Sequence, residues 1–430
     1  MRQGVFIDKG PQNYEIIQQN VGGGADIYLS GHFFIEEDFC NPIQIFVRIL
    51  NEDSSLPIIN YTSCNVDGNH WSVTLKDVPT GGLYRIETGL SDGNESMDWN
   101  RRGEMRHFIG IGDVFVIAGQ SNSSGYGKGY IEDGPCLGVH CLRYSGKWDL
   151  ASHPLSDCTE ALRSCNLEGS NGGTSPYIHF SKLLKKELNY PIGLVPTALG
   201  GSPLKAWNPA QEAYLYLNML DITKELVNGY KAVLWYQGCS DVGLDDAEDY
   251  LDRFKYMVEC WRKDSNIKDL PFFTMQINRN RGDEIGESDE GWGIVKQAQR
   301  EAVKEIPHCY VISTLDIHMS DRIHNSAPGN ILIGQRLAHF MLYQLYGIGL
   351  IPYGSANLSY ATMIGLNEIL LEFDGLTGYL YYYDEIPELL DFYIEDELGQ
   401  NIVENVSFTT KQSVLITKRP IEGNCYISCG

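Results

Sequence analysis

The stretch Gly112-Asp-Val-Phe-Val-Ile-Ala-Gly-Gln-Ser-Asn-Ser-Ser-Gly-Tyr-Gly127 decides how the rest of the chain is read. Its apolar and β-branched run, Val114 to Ala118, has the composition of a parallel strand buried on both faces. The run stops at Gly119-Gln120-Ser121-Asn122 and gives way to small polar residues. A serine at that point stands at the carboxyl edge of a sheet, where open α/β folds keep their reactive groups. Ser121 is therefore the candidate nucleophile. Capping the next helix is the plainer use of such a serine, and the remaining segments decide between the two.

A serine hydroxyl needs a base, a group that orients the base, and donors for an oxyanion. Asp321-Arg-Ile-His324 places a carboxylate and an imidazole three residues apart in one loop. That spacing lets Asp321 bond one ring nitrogen while the other faces the serine. His318, in Leu315-Asp-Ile-His-Met-Ser320, has Asp316 nearby but lacks the Asp-x-x-His spacing. Two more apolar runs end in potential donors: Pro191 to Leu199 runs into Gly200-Gly201-Ser202, and Ala232 to Tyr236 into Gln237-Gly238. The backbone of Ser121, that of Gly200 or Gly201, and the Gln237 amide are the candidate oxyanion donors. There is no G-x-S-x-G elbow at Ser121, which argues against the ordinary α/β-hydrolase layout.

Around these blocks the middle of the chain alternates strands and helices. Strands are expected at 113–118, 192–198, 232–237, 271–277 and 309–314. Helices are expected at 177–188, 247–262, 294–303 and 331–345. This pattern predicts an α/β domain with a parallel sheet between two helical layers. Residues 1–108 show alternating runs such as Ile43 to Leu50, His70 to Leu75 and Gly82 to Thr88, with a loop at 92–96. They read as an N-terminal β-sandwich. Residues 348–430 read as a small C-terminal β region with strands at 368–373, 379–383 and 413–417. The aromatic run 379–383 is of a kind that can stack on sugar rings, although strand packing is its plainer use.

Taken together, Gly119-Gln-Ser-Asn122, Gly200-Gly-Ser202 with Trp207, Trp235-Tyr-Gln-Gly238 with Asp241, and Asp321-x-x-His324 before Gly334-Gln-Arg-Leu-Ala338 carry a family resemblance. The chain resembles the SGNH-type carbohydrate acetylesterases, in the sialate O-acetylesterase-like and acetylxylan-esterase-like branch. The resemblance covers about 109–347 and implies an SGNH-hydrolase, flavodoxin-like, three-layer parallel sheet there. It also implies a metal-independent serine esterase without cofactor, acting on acetylated mono- or oligosaccharides through an acetyl-enzyme. By the same resemblance Ser121, His324 and Asp321 form the triad and Gln237 takes an oxyanion position. Gln120, Asn122 and Trp207 are the candidate substrate contacts. Two positions depart from the family pattern: Cys239 stands where Gln-Gly-Glu has its acid, and Asn325 where proline usually follows the histidine. Two other readings stay open, an acyl hydrolase of thioesterase or lipase type and a sugar-binding protein that has lost catalysis.

Composition narrows the partners. The 430-residue chain is 43% hydrophobic and 21% charged, which are globular values. A net charge of −23 repels nucleic acid and anionic membranes, so neither is expected as a partner. Eleven cysteines without any Cys-x-x-Cys pair suit free thiols better than a metal site or a disulfide framework. With no signal-like apolar stretch at the N-terminus, a cytoplasmic location is expected.

Overall fold

The computed structural model describes residues 3–36, 42–54, 56–91, 101–168, 172–280, 287–350, 355–376, 378, 392–399, 402–409 and 411–429. The loop expected at 92–96 and the aromatic run 379–383 lie outside the described residues.

One strand organises the molecule. Arg101–Gly119 is 19 residues long, and its burial changes along its length, from mixed at the start to complete beyond Phe108. The first half pairs antiparallel with Gly81–Ser91, which in turn pairs with Gln44–Asn51. The second half is flanked by parallel neighbours on both sides: Asp113 to Ile117 faces Ile192–Pro196, and Phe115 to Gly119 faces Ala232–Tyr236. A strand covered on both faces has no use for polar alternation, which is why Val114 to Ala118 is uniformly apolar. The boundary expected at residue 108 falls inside this strand.

Before it, Gly4–Lys9, Ala25–Phe34, His70–Val78 and Asn65–Asp67 form a separate four-stranded sheet. Its inward side chains, among them Leu29, Trp71 and Leu75, share one core with Val47, Ile86 and Ile109 of the sheet that Arg101–Gly119 continues.

The parallel strands lie in the order Val139–Leu142, Ile192–Pro196, Arg101–Gly119, Ala232–Tyr236, Phe272–Met275, Cys309–Ile312. Trp148–Leu150 is added antiparallel at one edge. Leaving aside the Val139–Leu142 hairpin, the chain order is 2-1-3-4-5. Connections diverge on either side of Arg101–Gly119, so a crevice opens beyond its carboxyl end.

Alternate residues of this strand enter opposite cores. Val114, Val116 and Ala118 pack with helices Tyr214–Leu226, Tyr250–Asp264 and Glu287–Glu305. Phe115 and Ile117 pack with Tyr177–Leu188 and Ala327–Tyr346. The fold is thus mixed α/β around a mixed sheet. The helix expected over 247–262 is divided at Asp249 into Leu244–Glu248 and Tyr250–Asp264.

Beyond the last helix, Asn357–Met363, Glu368–Asp374, Gln412–Thr417 and Val403–Phe408 form a sheet, and Phe392–Asp396 pairs with Cys425–Cys429. Arg300 anchors this region to the α/β part by donating to Asn357 Oδ1 at 2.8 Å and to the Leu358 carbonyl at 3.2 Å. No helix among the described residues is long and apolar enough to cross a membrane.

Candidate active site

The nucleophile block turns sharply because Gly119 adopts φ +123°, and a Cβ there would lie 2.2 Å from the Tyr236 carbonyl oxygen. Gln120 then donates its N–H to that carbonyl, and Ser121 opens the short helix Ser121–Ser124, which Gly125 ends in a left-handed conformation. Ser121 is buried, and its Oγ lies 2.8 Å from His324 Nε2. His324 Nδ1 lies 2.8 Å from Asp321 Oδ2. Asp321 also folds its own loop, its Oδ1 accepting the N–H groups of Ile323 at 3.0 Å and His324 at 2.8 Å. Partial burial works against charge on Asp321, but the bond to the His324 ring and these two N–H groups hold its carboxyl below the usual carboxylate range. The expected Ser121, His324 and Asp321 therefore form one continuous hydrogen-bonded line.

His318 takes no part in it. His318 is exposed, and Asp316 pairs with Arg336 at 2.7 Å.

The expected oxyanion donors divide. Ser121 N–H lies in the first turn of a helix, where backbone donors have no intrahelical acceptor. Leu199 N–H and Ser202 Oγ both donate to the Gly119 carbonyl, so the 199–202 loop packs against the nucleophile turn. Within that loop Gly200 N–H is already bonded to Glu168 Oε1 at 2.8 Å. Gly201 N–H has no acceptor among the described residues. The Gln237 amide is drawn inward, donating to Asp241 Oδ2 at 2.5 Å and to the Ser202 carbonyl at 3.2 Å. Its Oε1 accepts from Tyr250 Oη at 3.1 Å. Gly200 N–H and the Gln237 amide are thus each engaged by a nearby carboxylate, that of Glu168 and that of Asp241.

The expected substrate contacts Gln120, Asn122 and Trp207 are likewise engaged within the protein. Gln120 Oε1 accepts Gly238 N–H at 2.9 Å and Ser240 N–H at 3.3 Å, joining the first and third blocks. Asn122 Nδ2 donates to the Ile323 carbonyl at 3.0 Å, and its Oδ1 accepts Asn325 N–H at 3.1 Å. Trp207 is fully buried, edge-on to Trp235 at 5.4 Å, with its indole N–H on Ser202 Oγ. All three side chains thus help to assemble the site.

The whole of this arrangement lies within one recognisable unit. A family model described as "Carbohydrate esterase, sialic acid-specific acetylesterase" matches residues 111–343. The chain belongs to this family of carbohydrate esterases. It is 29% identical over 264 residues to a probable carbohydrate esterase of Arabidopsis thaliana, covering 56% of this chain and 94% of that protein. It is 24% identical over 413 residues to the sialate O-acetylesterase of Homo sapiens, covering 86% of this chain and 75% of that protein. Among solved structures, a carbohydrate acetylesterase from Xanthomonas citri matches with a TM-score of 0.67 and 19% identity, covering 97% of this chain and 92% of that one, a likeness of fold.

Both departures of this carbohydrate esterase from the family pattern are accommodated locally. Asn325 is fully buried; it donates to Tyr236 Oη at 2.9 Å and accepts from Asn278 Nδ2 at 2.8 Å. It also keeps the backbone N–H that Asn122 uses, which a proline would lack. Cys239 packs against the apolar core, and burial pushes its thiol up to about 12, which disqualifies it as a nucleophile near neutral pH. Asp241 is the buried acid of this esterase's third block. Burial lifts its carboxyl above the usual range, against the pull of Leu204 N–H, the Gln237 amide and Arg253.

Two further residues at the site were not anticipated. Tyr126 lies over the His324 ring with centroids 5.2 Å apart, and its hydroxyl donates to Glu168 Oε2 at 2.6 Å. Glu168 comes from a loop without periodicity, so no sequence signal marked it. Among the described residues no group of three or more His, Cys, Asp and Glu side chains is placed to hold a metal ion.

Proposed function

We propose that this esterase removes O-acetyl groups from acetylated carbohydrates, with Ser121 as nucleophile, His324 as general base and acid, and Asp321 as the group that orients the imidazole. The two successive 2.8 Å contacts from Ser121 Oγ through His324 to Asp321 carry the reading. His324 Nε2 takes the Ser121 proton as Oγ bonds to the acetyl carbon. The tetrahedral oxyanion is held by the N–H groups of Ser121 and Gly201, the two candidate donors without an internal acceptor among the described residues. As the bond to the sugar oxygen breaks, imidazolium returns the proton to that oxygen. Water, deprotonated by the same ring, then attacks the acetyl-enzyme, releasing acetate and restoring Ser121.

The test is acetate release from O-acetyl sialic acids and from acetylated xylo- and manno-oligosaccharides, by the intact chain and by Ser121→Ala. Release from at least one class is expected, with a loss of about 10⁴-fold or more in the variant. Release that survives in folded Ser121→Ala sinks the assignment. Faster cleavage of long-chain acyl esters than of acetyl esters moves the chain to another class of acyl hydrolase.

A further inference from the structure

A cavity of about 660 Å³ lies along the outer side of the edge strand Trp148–Leu150, and no residue of the triad lines it. Its volume falls in the range of small-ligand sites. The walls come from residues 12–14, the hairpin residues between Arg143 and Asp149, and residues 152–160.

The chemistry of the lining is unevenly committed. The Arg143 guanidinium is occupied inside the protein, reaching the Leu150 carbonyl at 2.8 Å and the Ser152 carbonyl at 3.2 Å. The Lys147 ammonium and the Glu160 carboxylate, by contrast, make no hydrogen bond or ion pair among the described residues, although the Lys147 carbonyl accepts Arg143 N–H at 2.8 Å. Among the described residues the Asp149 carboxylate accepts only from its own neighbour, the Leu150 N–H, at 2.7 Å. The lining thus sets three carboxylates, Asp149, Asp157 and Glu160, against two cations, Arg143 and Lys147, a net negative balance that disfavours a phosphate or carboxylate ligand. Hydroxyl groups both donate and accept, so they can satisfy Lys147 and the carboxylates together. Tyr14, stacked on Phe108 at 4.7 Å, adds an aromatic wall of the kind that packs against sugar rings.

The same loop reaches the catalytic crevice. Cys158, between lining residues Asp157 and Thr159, donates to the Glu168 carbonyl at 3.5 Å. Glu168 holds Gly200 N–H and the Tyr126 hydroxyl beside His324. The cavity's strand Trp148–Leu150 is three places from the nucleophile strand in the sheet, a lateral distance of about 14 Å. A chain of a few linked sugars spans such a separation.

We propose that this cavity is a subsite for neutral glycan units beyond the acetylated residue, so that the preferred substrate is an oligosaccharide and not a single sugar. The proposal rests on the esterase reading above, but its test is independent of turnover. Unacetylated xylotetraose and mannotetraose, with xylose, mannose and a sialylated trisaccharide for comparison, are titrated into the intact chain by calorimetry. The same titrations are run on Lys147→Ala/Glu160→Gln and on the single variant Glu160→Gln, with melting temperature reporting the fold. At least one tetraose is expected to bind about tenfold or more tighter than the monosaccharides and the sialylated sugar, and to lose about tenfold in the double variant. If the double variant does not fold, the single variant carries the test with a loss of about threefold or more. The subsite is overturned if no tetraose binds, if the variants bind it unchanged, or if the sialylated sugar binds best. None of these outcomes depends on whether Ser121 releases acetate, so failure here and failure of the esterase reading are separately visible.

Discussion

Asn122 grips the chain on both sides of His324, donating to the Ile323 carbonyl at 3.0 Å and accepting the Asn325 N–H at 3.1 Å. The residue after the nucleophile thereby sets where the base stands. Asn122→Ala releases both bonds, leaving two backbone groups near a buried loop without partners. A displacement of the imidazole by about 1 Å is enough to cost about 10²-fold in rate. The expected result is a fall of that size in kcat on a small acetyl ester, with KM nearly unchanged. Steady-state kinetics decide it: a change confined to KM would mean that Asn122 touches substrate instead.

Gln237 offers a sharper distinction between frame and oxyanion hole. Its amide bridges Asp241 and the Ser202 carbonyl and takes a bond from Tyr250, all in the buried interior. Gln237→Ala leaves a buried carboxylate short of a donor, at a cost of about 1–3 kcal/mol in stability. Activity and melting temperature are expected to fall together. A true oxyanion donor would lower kcat by about 10²-fold or more with no change in melting temperature. Paired thermal unfolding and kinetics on this one variant separate the two.

For Asp321 the expectation concerns both rate and pH. Its carboxyl is held below the usual carboxylate range, despite partial burial, by the His324 ring and two backbone N–H groups, so it stays ionised through mild acid. Its own titration therefore adds nothing to the acid limb of the pH–rate profile above about pH 5. Asp321→Asn keeps the shape but favours the wrong imidazole tautomer, and a loss of about 10² to 10⁴ in kcat is expected. The loss should be even from about pH 6 to 8. A variant whose defect vanishes at one end of that range would show that Asp321 titrates during catalysis.

The parts of this fold that were readable are those where burial imposes one pattern. Val114 to Ala118, Val233 to Tyr236 and Phe272 to Met275 are sealed on both faces by helices, so their apolar runs admit few alternatives. The strands Val139–Leu142 and Trp148–Leu150 were hidden because they are short and carry His140, Cys141 and Asp149. Helix Tyr214–Leu226 begins Tyr-Leu-Tyr-Leu, an alternation that mimics a strand, and only its packing through Leu215, Met219 and Ile222 makes it helical. At the site, Asp321 and His324 were legible because one loop holds both. The direction of the Gln237 amide was not, since it depends on Asp241 being brought round by the turn that follows. Glu168 was still less accessible, because its partners Gly200 and Tyr126 lie 32 and 42 residues away in the chain.

His140 makes the stability of the α/β unit sensitive to acid, away from the chemistry. It is fully buried in the strand Val139–Leu142, with Nδ1 2.7 Å from the Tyr14 carbonyl and Nε2 accepting Gly138 N–H at 3.2 Å. One ring nitrogen donates and the other accepts, so the pair of bonds requires the neutral ring. Burial lowers the pKa to about 4, against the pull of the Tyr14 carbonyl, from an ordinary value of 6.5. In the unfolded chain His140 takes up its proton as pH falls through 6.5, while the folded state resists until about 4. The unfolded state binds more protons across that window, so stability is complete above it and declines as pH falls through it. A shift of this size corresponds to about 3 kcal/mol lost between pH 7 and pH 4. Urea unfolding at pH 7, 6, 5 and 4 should show that decline, and His140→Gln, less stable at pH 7, should show a shallower one. Parallel slopes for the two proteins would mean that His140 is not the group whose protonation unfolds the chain.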